Sequence, residues 1–121
     1  MRHIFHAAIL AQHILEKEDD GWIGVDLDGT LAKFTKWKGA ANIGEPIPAM
    51  VARVRRWIGH GKKVKIFTAR ADDEVSVNAI KRWLKTNEMP DMEVTNLKDE
   101  KMIEFWDDKA VAVEKNTGKI A

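Results

Sequence analysis

Cysteine is absent from the 121-residue chain, which excludes disulfides, thiolate metal sites and cysteine nucleophiles and fits a reducing compartment. The cytoplasm is the expected location. Long apolar runs are missing as well: nothing approaches the roughly 20 residues that a membrane span requires, so no membrane partner is expected. The stretch from Met1 to Leu15 is fairly apolar, but His3, His6, Gln12 and His13 interrupt it and no small-residue cleavage site follows, which argues against a secretory leader. Neither sign of charge is in excess. Twenty basic against 19 acidic side chains leave a formal net charge of +1, so the whole-molecule field offers no strong steering toward nucleic acid or an anionic membrane. Low-complexity tracts and internal repeats are also lacking.

Apolar residues make up 45% and charged residues 32% of the chain, the balance of a soluble globular protein. A chain this long should bury roughly two thirds of the surface its unfolded form exposes, enough for one core. A single domain over 1–121 is expected, with an amphipathic helix in 1–20 ahead of a catalytic core over 21–114. In the helix Ile4, Phe5, Ala8, Ile9 and Leu15 recur at helical spacing.

Trp22-Ile23-Gly24-Val25 is a short apolar run that ends on Asp26, as a buried parallel strand would. Leu31 to Glu45 carries Gly39, Gly44 and three lysines with no clear period, and is expected to be a flap over that strand end. Pro46 and Pro48 open a helix whose apolar side is Ala49, Val51, Val54 and Ile58. Val64 to Phe67 is a second strand, and Asp73 to Thr86 a helix facing the core with Val75, Ala79, Ile80, Trp83 and Leu84. Met92 to Val94 is a third strand, Lys98 to Lys101 a helical turn, Met102 to Trp106 a fourth strand, and Ala110 to Val113 a fifth. Such alternation predicts an α/β fold: a three-layer, Rossmann-like, mostly parallel sheet of about five strands with helices on both faces.

Asp26, Asp28, Thr68, Lys98, Asp107 and Asp108 each follow an apolar strand or open the segment after one. In open parallel sheets the crevice outside the carboxyl ends of the strands is where ligands bind, so these residues converge. Carboxylates crowded into one crevice repel unless a cation or protonation relieves them. No cysteine or histidine stands near these strand ends, and an oxygen-only donor set points to Mg²⁺ with a phosphate-bearing substrate. Asp-x-Asp-Gly-Thr should arise by chance in such a chain only on the order of once in a thousand.

Asp26-Leu27-Asp28-Gly29-Thr30, Thr68, Lys98 and Asp107-Asp108, in that order, resemble the four motifs of the haloacid dehalogenase superfamily of phosphatases. The resemblance spans Trp22 to about Val113. It implies that Asp26 attacks phosphorus to form an aspartyl-phosphate. Asp28 would protonate the leaving oxygen and then deprotonate the hydrolytic water. Thr68 would hydrogen-bond a phosphoryl oxygen and Lys98 offset charge, with Lys101 as the fallback because the interval to Asp107 is short. Asp107 would bind the metal beside Asp26 and the Asp28 carbonyl; Asp108 would be a second ligand or would orient Lys98. Substrate-side candidates are Gly29, which lets the chain turn away after Asp28, Arg70, whose guanidinium suits bidentate contacts or a surface salt bridge, and Trp37, an aromatic among Lys33, Lys36 and Lys38. The other four tryptophans, Trp22, Trp57, Trp83 and Trp106, sit at core spacing or in strands.

The chain leaves no room for the cap domain that many superfamily members carry. Capless relatives, of which the phosphatase domain of polynucleotide kinase is a distant likeness, act on large substrates or close the site with a neighbouring subunit. The expected partner is therefore a phosphorylated small molecule or nucleic-acid end, with a homo-oligomer as a further expectation. The competing readings are a receiver-like phospho-aspartate signalling module, in which the lysine would follow the threonine on the last strand, and a non-catalytic binding protein of the same fold.

Overall fold

The computed structural model describes residues 21–121; the expected N-terminal helix, with His3, His6 and His13, lies outside them. Within the described residues the order is β1 (Trp22–Val25), α1 (Pro48–Gly59), β2 (Val64–Phe67), a 3₁₀ turn (Ala69–Asp72), α2 (Glu74–Thr86), β3 (Glu93–Thr95) and β4 (Met102–Trp106). All strand pairs are parallel and the sheet runs β3-β2-β1-β4. The protein is thus α/β with a parallel four-stranded sheet.

Strand alternation divides the sheet's two faces. Ile23 and Val25 of β1 are in register with Val64 and Ile66 of β2, and these four side chains form one core with Leu27, Leu31, Met50, Val54, Ile80 and Leu84. Both described helices contribute to that single core. Trp106 joins its margin, tilted against Trp57 at 5.2 Å. On the other face Phe67 stacks on Trp22 at 6.5 Å and meets Phe105 edge-on at 5.1 Å. Gly24 makes this possible, because a Cβ there would stand 2.5 Å from Met102 Cε and 3.3 Å from Phe105 Cδ1.

The expectation of helices on both faces is therefore met, among the described residues, on one face only. The reason is the connection from β3 to β4, which must pass from one sheet edge to the other. Residues 96–101 make that passage with a turn at 100–101 in place of the expected helical turn. Asp99 pins it to the aromatic face by accepting from Trp22 Nε1 at 2.8 Å, and Lys101 O accepts from Trp22 N at the amino end of β1.

Helix phases follow their caps. Asp73 caps α2 by accepting from Ser76 N at 2.7 Å, which sets Ser76, Ala79, Ile80 and Leu84 inward and leaves Val75, expected in the core, 70% exposed. In α1 Pro48 stands at the first turn, and Met50 and Val54 are buried, whereas Ala49 is exposed. The segment 110–113 does not join the sheet as a fifth strand. Asp107 Oδ2 accepts from the amides of Lys109 and Ala110, a turn that carries the chain away, and Val113 is bridged only to Ile120.

Leu27 is fully buried, and its carbonyl accepts from the amides of Leu31 and Ala32 where the chain leaves β1. Leu27→Ala should cost about 2–5 kcal/mol of stability by loss of burial and cavity formation. Urea denaturation followed by circular dichroism checks this, and a loss below about 1 kcal/mol would contradict the packing described.

Candidate functional site at the carboxyl end of the sheet

The chain runs outward from β1 through β2 to β3 and then crosses back to set β4 on the other side of β1, and that switch point is where parallel sheets open a crevice. A cleft of about 540 Å³ lies there, lined by Asp26 and Asp28 after β1, Thr68 to Arg70 after β2, and Asp107 to Lys109 after β4. Phe34, Trp37 and Ala40 of the flap and Asp72, Asp73 and Ser76 at the head of α2 complete the lining.

Carboxylate oxygens of Asp26, Asp107 and Asp108 all lie within 4.8 Å of one another. Burial of Asp26, followed by the adjacent Asp107 and Asp108 carboxylates, pushes its carboxyl up to about 7. Asp107 moves the other way. Burial opposes its ionisation, but the Lys109 and Ala110 amides and the protonated Asp26 outweigh it and hold Asp107 below its ordinary value. Burial and the neighbouring carboxylates thus act together to favour the protonated form of Asp26. The all-oxygen donor set fits a hard divalent cation such as Mg²⁺, which would be held by Asp26, Asp107 and Asp108 and would remove the repulsion that raises Asp26. Gly29 serves this arrangement: its φ is +88°, and a Cβ would stand 2.6 Å from Asp108 Oδ2. Thr30 Oγ1 donates to Asp26 Oδ2 at 3.3 Å.

The Asp28 carboxylate stands apart from this trio and is paired with Arg70. Nε donates to Oδ2 at 2.7 Å and an Nη2 hydrogen to Oδ1 at 2.9 Å. Arg70 is only 5% exposed and also donates to the carbonyls of Ala40 and Asn42 at 3.3 and 3.0 Å, while its guanidinium lies 4.6 Å from the centre of the Trp37 ring. Such planar, bidentate use of guanidinium is beyond a lysine. Arg70 therefore fastens the flap to the Asp28 motif. The flap's base is closed by Lys33 N donating to Glu45 O and Ile47 N to Leu31 O, so Leu31 and Ala32 are core residues and the projecting part is 33–45. Trp83 Nε1 holds the far limb by donating to Gly44 O at 2.9 Å.

Thr68 is buried, and its Oγ1 accepts from Arg70 N at 3.2 Å, capping the 3₁₀ turn. The cleft thus gathers Asp26, Asp28, Gly29's neighbour Asp108, Trp37, Thr68, Arg70 and Asp107. It does not gather the lysines expected from the sequence. Lys98 is exposed on the 96–101 passage and is not among the lining residues, and Lys101 sits at the opposite, amino end of the strands. Lys109 lines the cleft instead; its position directly after Asp107-Asp108 was the only signal for it. Phe34 was missed because a lone aromatic in an aperiodic loop carries no pattern.

Compared with known proteins, the chain matches no family model, no curated protein and no solved structure.

Two outcomes follow from the geometry. Asp26 is raised above its unfolded value, so without a cation its contribution to stability is complete below about pH 4 and is lost as pH rises through about 7. The melting temperature in a chelator should fall between about pH 5 and pH 8, Mg²⁺ should restore it at the upper end, and Asp26→Asn should flatten the fall. A flat profile in the unaltered protein would contradict the crowding. Arg70→Lys should also loosen the flap. Tryptic cleavage after Lys36 and Lys38 should accelerate about tenfold, the loss of one to two charged hydrogen bonds, and unchanged cleavage would remove Arg70 as the fastener.

Proposed function

We propose that the protein is a Mg²⁺-dependent phosphomonoesterase of the haloacid dehalogenase type that works through an aspartyl-phosphate on Asp26. The carrying observation is the convergence of Asp26, Asp107 and Asp108 to within 4.8 Å at the switch point of a parallel sheet, with Asp28 and Thr68 lining the same cleft. The bound cation would supply charge neutralisation to the carboxylates and to the phosphoryl oxygens of the substrate.

In the first step an Asp26 oxygen would attack phosphorus, the bond from phosphorus to the ester oxygen would break, and Asp28 would give that oxygen a proton. In the second step Asp28 would take a proton from water as the water oxygen attacks phosphorus, and the bond to Asp26 would break to release phosphate. Both Asp28 oxygens accept from Arg70 in this state, so Asp28 enters the reaction only after giving up at least one of those bonds and taking a proton from solvent on the freed oxygen, the proton it later recovers from the hydrolytic water. The Thr68 hydroxyl accepts from Arg70 N and keeps its own hydrogen, which it would donate to a phosphoryl oxygen. Lys109 is the lysine whose position supports charge compensation, in preference to Lys98 or Lys101.

Hydrolysis of a generic aryl phosphate with Mg²⁺, and its absence in chelator, is the expected activity. Asp26→Asn should lower kcat by at least about a thousandfold, the scale of a lost nucleophile, with an unchanged circular dichroism spectrum. Turnover by Asp26→Asn close to that of the unaltered protein would overturn the assignment.

A further inference from the structure

Two exposed aromatic side chains, Trp37 at 59% and Phe34 at 45%, line the same cleft as Asp26. Exposed rings scattered singly need no explanation, but two lining one carboxylate-rich cleft offer apolar surface in a polar surround. Trp37 is also held in place. One side of its ring is covered by the Arg70 guanidinium at 4.6 Å, and that guanidinium is anchored by Asp28 and by the carbonyls of Ala40 and Asn42. A ring stacked from behind by a buried, fully engaged cation is preorganised, so a ligand meeting its free side loses little freedom in ordering it.

Charge narrows what this surface takes. Six aspartates line the cleft, Asp26, Asp28, Asp72, Asp73, Asp107 and Asp108, against Arg70 and Lys109. Arg70 is committed to Asp28, the trio around Asp26 has the proposed cation and Lys109 serves the phosphate, whereas Lys33, Lys36 and Lys38, beside Phe34 and Trp37 in sequence, line a neighbouring hollow of the flap and not this cleft. A second negative group held inside the cleft would meet Asp72 and Asp73 with no uncommitted cation among the lining residues.

We propose that Trp37 and Phe34 form a leaving-group subsite for a flat ring, and that the substrate is a small phosphate monoester whose ring carries no further negative charge. The subsite rests on the phosphomonoesterase reading for its phosphate end. The phosphate seats at Asp26 while the ring stacks on the free side of Trp37, and Arg70 ties that ring position to Asp28, the group that must protonate the departing oxygen.

The test compares phenethyl phosphate with cyclohexylethyl phosphate, which share a leaving alcohol of the same acidity and differ in the flatness of the ring. With Mg²⁺ the unaltered protein should favour phenethyl phosphate in kcat/KM by about 2- to 12-fold, the part of an aromatic pair that exceeds simple area burial. Trp37→Ala should bring the ratio close to one and Trp37→Phe should keep part of it. A ratio near one in the unaltered protein, a ratio that survives Trp37→Ala, or faster turnover of a para-carboxylated phenethyl phosphate or a 3′-phosphorylated oligonucleotide would overturn the proposal. If no ester is hydrolysed, the phosphomonoesterase reading fails, and calorimetric binding of phenethylphosphonate against cyclohexylethylphosphonate then decides the subsite alone. Preferential binding of the flat ring that is lost in Trp37→Ala supports it, and equal binding overturns it.

Discussion

Three carboxylates held within 4.8 Å of one another are the constraint to which the rest of the cleft answers. Parallel strands β1 and β4 end side by side, so Asp26 on one and Asp107-Asp108 on the other are brought together by backbone pairing, with Val25 in register with Trp106. The sheet is stabilised by its apolar core and tolerates the burial of Asp26 and its crowding by Asp107 and Asp108, which together push the Asp26 carboxyl up to about 7. A site that costs stability when empty and ionised is one that gains most from binding a cation.

Arg70 is the counterpart on the flap side of the cleft. A nearly buried guanidinium joins Asp28, two flap carbonyls and the Trp37 ring, so the acid of the proposed mechanism and the wall of the cleft share one side chain. Removing one partner of so buried an ion pair leaves the other uncompensated, which is costlier than the pair's own net contribution. The flap, though irregular, is thereby a defined part of the site: Trp83 and Gly44 fix its far limb, and the Ala32–Pro46 bridge closes its base.

Much of this was legible in the sequence because it depends on local pattern. Uninterrupted apolar runs ending on polar residues located β1, β2 and β4, and the switch-point rule then gathered Asp26, Thr68 and Asp107 without knowledge of any distance. What escaped reading depends on tertiary geometry. The passage from β3 to β4 crosses the aromatic face without a helix, which strands Lys98 on an exposed stretch and Lys101 at the wrong end of the sheet. The pairing of Arg70 with Asp28, 42 residues apart in sequence, has no signature in spacing. The helix phase that exposes Val75 was decided by the Asp73 cap, and the turn made by Asp107 with the next amides ended the sheet at four strands among the described residues.

The central claim is that Asp26 carries the phosphoryl group between substrate and water. Rapid acid quench of the unaltered protein during turnover of a radiolabelled phosphate monoester with Mg²⁺, followed by peptide mapping, tests it most directly. The account predicts acid-stable, base-labile label on the peptide containing Asp26, present only with the cation and discharged when substrate is exhausted. Turnover without any labelled peptide, or with label on another residue, would contradict it.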